Sequence, residues 1–77
     1  MKNKSDAVRK LGSKIREERK RQGLTQTELG HYAQTGINFI SQLENGKASL
    51  RFDKVLDVMK VLGLQLRIEY GKELVCE

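Results

Sequence analysis

Seventy-seven residues with one cysteine (Cys76) and one histidine (His31) hold a single domain with a thin core, no disulfide and no thiolate zinc site. No apolar run approaches the roughly 20 residues needed to cross a bilayer, and the N-terminus lacks a signal-peptide core, so the chain reads as soluble and cytoplasmic. The net charge of +5 is concentrated: residues 1–24 carry nine Lys/Arg against Asp6, Glu17 and Glu18, giving +6, and the rest nets −1, which suits a polyanion such as nucleic acid or a solvated basic helix face.

The first predicted helix covers residues 5–22. Ser5 or Asp6 can cap it, Val8, Leu11 and Ile15 share one face, and Gly23 stands where a helix ends in the left-handed region. Gly12 costs about 1 kcal/mol there relative to alanine, which points to close packing or to tolerance. Thr25-Gln26-Thr27-Glu28 is a capping box that opens a second helix with Leu24 as its staple. Leu29, Tyr32 and Ala33 continue its apolar face, and it ends near Ala33. After a tight break at Gln34-Thr35-Gly36, a third helix runs from about Ile37 to Glu44, with Ile40 and Leu43 inward and Asn45-Gly46 as its stop. Phe39 is ambiguous between core and rim. A fourth helix spans about Phe52 to Leu62, with Phe52, Val55, Leu56, Met59 and Leu62 at helical spacing and Gly63 at its end.

The period then falls to two. Leu64, Leu66, Ile68 and Tyr70 alternate with Gln65, Arg67 and Glu69, a strand pattern over residues 64–70, and residues 71–77 read as a frayed tail. A lone strand in a helical chain leaves unpaired backbone groups that act as a template for another chain. The expectation is a two-fold homodimer in which this strand pairs antiparallel with its copy, with Leu64, Leu66, Ile68 and Tyr70 at the interface. A disordered tail or a frayed fifth helix is the alternative. The expected fold is thus mainly α: one domain with a four-helix core over residues 5–63, a dimerisation strand and a tail.

Two short helices joined by a tight turn, the second polar on its outward side, form a helix-turn-helix pattern. With Ile40 and Leu43 anchored inward, Ile37, Asn38, Ser41 and Gln42 project outward. Asn and Gln amides pair bidentately with adenine in the major groove, and Ile can touch a thymine methyl. Free N–H groups where the two short helices begin, at Thr25 and near Gly36, favour phosphate. The reading is therefore duplex-DNA binding. No Ser-His-acid or Cys-His arrangement has supporting neighbours, no cofactor-binding glycine loop is present, and no enzyme reading finds a residue to support it. Cys76 reads as an incidental thiol, and His31 as a surface residue.

These motifs resemble a known family. Gly23-Leu24-Thr25-Gln26-Thr27-Glu28-Leu29, followed by Ile40-Ser41-Gln42-Leu43-Glu44-Asn45-Gly46-Lys47, is similar to the domain of lambdoid phage repressors, Cro proteins and related bacterial regulators, over about residues 9–63. The resemblance implies that Gln26 contacts a phosphate or base edge and that Ile37, Asn38 and Gln42 read bases. It also implies that Asn45 and Lys47 hold backbone phosphates, and that Arg19 and Glu44 form an ion pair joining the first and third helices. Three positions depart from the pattern: Gln34 where a turn glycine is common, Thr35 where an aliphatic residue is usual, and Gly36 where Ser or Thr often caps.

The stretch Leu50–Ile68 further resembles the C-terminal part of HipB-type antitoxins, in which the fourth helix runs into a strand that pairs across the dimer. That resemblance implies a protein that represses its own operon and binds a HipA-type serine/threonine kinase toxin. A stand-alone phage or chromosomal repressor without a toxin is the alternative, and an interaction adaptor with the same fold a further one.

Overall fold

Local hydrogen bonds satisfy orphan backbone groups at the start of the second helix and where the helices end. In the computed structural model, which describes residues 5–70 and the backbone of 75–76, α1 spans Ser5–Arg21, α2 Gln26–Tyr32, α3 Ile37–Glu44 and α4 Phe52–Leu62. At the start of α2 the Thr25 hydroxyl accepts from the Glu28 N–H at 3.0 Å, and the Thr25 N–H donates to the Glu28 carboxylate at 2.8 Å. Both halves of the capping box are therefore made. At the other end of a helix the chain turns back on itself: Leu24 N–H donates to Arg19 O at 3.1 Å, and Leu64 N–H to Met59 O at 2.8 Å.

The core draws on all four helices. Ile15, Leu29, Ala33, Ile40, Leu43, Val55, Val58, Met59 and Leu62 are buried, with Leu11, Leu24, Phe39, Leu50, Val61, Leu64 and Leu66 packed around them. On α2 the buried stripe is Leu29, Gly30 and Ala33. Tyr32, expected in the core, lies beyond that stripe and is 59% exposed, with its ring edge-on to His31. On α4 the buried stripe passes through Val55, Val58, Met59 and Leu62, which turns Phe52 and Leu56 to the rim; they are 58% and 39% exposed. Helical spacing picked out an apolar arc there that is wider than the face the other helices cover.

The C-terminal strand needs correction. Regular pairing is confined to Leu66–Arg67 (β1), and its partner lies within the chain: Val75–Cys76 (β2) runs antiparallel, with Leu66 opposite Cys76 and Arg67 opposite Val75. Residues 75–76, expected as tail, are a returning strand. Leu64 and Leu66 pack against the molecule's own core, while Ile68 is 76% exposed and Tyr70 fully so. The alternation of the sequence holds only as far as the helices reach to cover it. Among the described residues, no helix is long and apolar enough to cross a membrane.

Candidate nucleic-acid interface

The turn between α2 and α3 is built from backbone. Ala33 N–H donates to Leu29 O at 2.9 Å, Gln34 N–H to His31 O at 3.1 Å and Thr35 N–H to Gly30 O at 2.7 Å. Gly30 permits this closeness, since a Cβ there would lie 3.2 Å from the carbonyl oxygens of both Thr35 and Gly36. Gln34 has φ of 59°, the left-handed region, and is the one non-glycine residue with positive φ among those described. Such a conformation costs roughly 1–2 kcal/mol for a residue with a Cβ. Gly36 occupies the cap position of α3 in extended conformation and makes no side-chain cap bond.

Helix α3 has two faces. Ile40, Leu43 and Glu44 are buried and Phe39 is half-buried, whereas Ile37, Asn38 and Gln42 are exposed and Ser41 is half-buried. At about 100° per residue, Ile37, Asn38, Ser41, Gln42 and Asn45 fall within roughly 140° of arc. That surface is one apolar side chain followed by amides and a hydroxyl. It carries no acid, because Glu44, the only acid of the helix, points inward.

Glu44 is neutralised where it is buried. Arg19 Nε donates to its Oε2 at 2.6 Å and Nη2 to its Oε1 at 3.0 Å, with the two side chains 9% and 2% exposed. The third guanidinium nitrogen donates to Leu24 O at 2.8 Å. The amide of Gln26 completes the group, donating to Glu44 Oε1 at 3.2 Å. The carboxylate beside it raises the Arg19 pKa further above its ordinary value. The geometry thus ties α1, the start of α2 and the end of α3 at one buried carboxylate, and no buried side-chain polar atom among the described residues lacks a partner. Gln26, read from the sequence as a DNA contact, spends one amide donor on this tie and stays half-buried.

Beyond Glu44 the chain turns at Asn45-Gly46-Lys47. Gly46 N–H donates to Leu43 O at 3.1 Å and Lys47 N–H to Gln42 O at 3.0 Å, which leaves the side chains of Asn45 and Lys47 exposed at the end of α3. The dimer-interface candidates Leu64, Leu66, Ile68 and Tyr70 do not join this surface; they follow α4.

Charge reinforces the picture. The Arg21 guanidinium, with help from Gln22, holds the Glu18 carboxyl down at about 2, so Glu18 and Arg21 offset one another at neutral pH. Arg51 likewise lowers the Asp53 carboxyl while pairing with it. The cations without such a partner among the described residues include Arg9, Arg16 and Lys20 on α1 and Lys47 beyond α3. Sequence reading had placed this excess on the N-terminal third but had no way to show Arg9 beside the α3 turn. Its stem meets Gly46 there.

Two comparisons bear on this surface. Residues 15–68 match the helix-turn-helix family. The chain is also 41% identical over 58 residues to an uncharacterized HTH-type transcriptional regulator, y4mF, of Sinorhizobium fredii; the match spans 75% of this chain and 76% of that protein.

Proposed function

Because this chain belongs to the helix-turn-helix family, we propose that it is a transcriptional regulator that binds duplex DNA by sequence. The observation that carries the reading is the outward face of α3. Ile37, Asn38, Ser41 and Gln42 enter the major groove, where Asn38 and Gln42 read base edges and Ile37 meets a thymine methyl. Thr25, Gln26, Asn45 and Lys47 border that face and hold the phosphate backbone, which sets the register in which the amides meet the bases.

The regulator works as a homodimer. Phe52, Leu56, Ile68 and Tyr70 leave large apolar side chains in water at α4 and the segment after β1, and a second copy would cover them. One edge of β1 is taken by β2, so pairing across the two-fold uses the other edge. Leu64 and Leu66 support that strand from beneath. The finer role is that of a HipB-like antitoxin which represses its own operon and binds a HipA-type kinase. Its support is the resemblance of Leu50–Ile68 and the run of α4 directly into a strand.

Selection from a pool of random duplexes tests the proposal. The recovered site should be two-fold symmetric, with half-site centres about 34–36 Å apart or a multiple of that. Sedimentation of the same protein should give a dimer, and a chain ending at Gly63 should give a monomer. For the antitoxin role, the product of the adjoining reading frame should be kinase-like and form a stable complex with this chain. Recovery of a site without such a neighbour returns the stand-alone repressor. Failure to enrich any duplex rejects the DNA-binding reading itself.

A further inference from the structure

The strongest unassigned feature is the contact between the first half of α1 and the turn that ends α3. Gly46 has φ of +83° and no side chain, and α1 fills the space that a side chain would need. A Cβ on Gly46 would lie 2.8 Å from Arg9 Cγ and 3.2 Å from Arg9 Cα. The backbone and stem of Arg9 are therefore seated on the Asn45-Gly46-Lys47 turn. Its residue is exposed, and its guanidinium makes no ion pair among the described residues.

We propose that Arg9 is a phosphate anchor that acts with Lys47 across the Asn45-Gly46 turn, so that each subunit grips the DNA backbone from α1 as well as from α3. The inference rests on the reading of this protein as a duplex-DNA binder, and it adds an element that reading does not use.

Three observations carry it. The Cα, Cβ and Cγ of Arg9 lie against Gly46, which restrains the start of the side chain and reduces the entropy lost when the guanidinium meets a phosphate. Arg9 also opens a shallow groove that it lines with Lys10, Ser13, Lys14 and Glu17, and the one acid there faces Lys14 at 4.0 Å. The groove's acid is thus taken up by Lys14 and does not neutralise Arg9. Finally, Gly12 brings α1 onto α3: a Cβ there would fall inside contact distance of Leu43 O and 3.0 Å from Glu44 O. With Arg19 bound to Glu44 two turns beyond, α1 is held at a second point when α3 enters the groove.

The test measures affinity against salt for Arg9→Gln, Arg9→Lys and Lys60→Gln. The probes are a random 30-base-pair duplex and the duplex recovered by selection. Glutamine keeps the Cβ and Cγ that rest on Gly46, so the variant should melt as the wild type does. Lys60→Gln removes an equal charge from α4 and serves as the control for net charge. The expected result is a slope of log K against log salt that falls by about 0.9 per subunit for Arg9→Gln on both duplexes, equivalent to about 8-fold weaker binding per subunit at 0.1 M salt. Arg9→Lys should keep the slope, and Lys60→Gln should leave it unchanged. A wild-type slope for Arg9→Gln, or an equal drop for Lys60→Gln, overturns the anchor while leaving DNA binding intact. If the wild-type chain binds neither duplex, the DNA-binding reading fails, and the anchor fails with it.

Discussion

Glu44→Ala should destabilise the protein by about 3–5 kcal/mol, because it leaves a guanidinium buried without its counter-charge. Arg19 would keep only the Leu24 carbonyl, and the Gln26 amide would lose its acceptor. An exposed pair would cost under about 1 kcal/mol, and the 9% and 2% exposure of these side chains places the pair in the other regime. A domain of this length has only about 4–12 kcal/mol of stability in all, so the loss is a large part of it. Since 1 kcal/mol moves the melting point of so small a domain by about 4–8 °C, Tm should fall by more than about 12 °C. A double-mutant cycle with Arg19→Ala isolates the interaction. The double variant should be much closer to either single variant than their sum, and coupling under about 0.5 kcal/mol would mean that the pair contributes no more than a surface one.

Gly12→Ala should also destabilise, although in most helix interiors that substitution gains about 1 kcal/mol. The sign reverses because the new methyl would meet the backbone carbonyls of Leu43 and Glu44, not the yielding end of a side chain. Relief requires α1 to move off the end of α3, and overpacking of this kind costs about 1–3 kcal/mol. Denaturant unfolding should give a lower midpoint with unchanged slope. Ser13→Ala, at the next position on the exposed side of α1, should match or slightly exceed the wild type. A Gly12→Ala protein more stable than the wild type would show that the helices are not in contact there.

The two substitutions also show how far the sequence could be read. Gly12 was visibly costly in a helix, but composition could not say whether the cost served a close approach. Only the neighbouring carbonyls decide that. The capping box, the extents of α3 and α4 and the glycine stops were legible because they are local, set by residues within a turn of one another. Val75–Cys76 was not, because two residues carry no periodicity and their partner is supplied by tertiary packing. Tyr32, Phe52 and Leu56 went astray for a related reason: helical spacing names an apolar arc, but the extent of neighbouring helices decides how much of it is covered.

The candidate site divides along the same line. The outward arc of α3 followed from the inward anchors Ile40 and Leu43, both buried. The bracing role of Gln26 depends on Glu44 Oε1 lying within reach, a relation between residues 18 positions apart. Arg9 at the α3 turn is a relation across 37 positions, and nothing in the linear order points to it. Long-range relations of this sort shape the site as much as its motif does.

The central claim is that α3 reads bases, and Gln42→Ala tests it most directly when titrated against the selected duplex and against random duplex. The prediction is a loss of about 1–3 kcal/mol on the selected site, relaxed preference at one base pair and unchanged binding to random DNA. Lys47→Ala, measured alongside, should weaken both duplexes alike and flatten the salt dependence. Equal losses for Gln42→Ala on the two duplexes would contradict the claim, since a side chain that cannot tell one sequence from another is not reading bases.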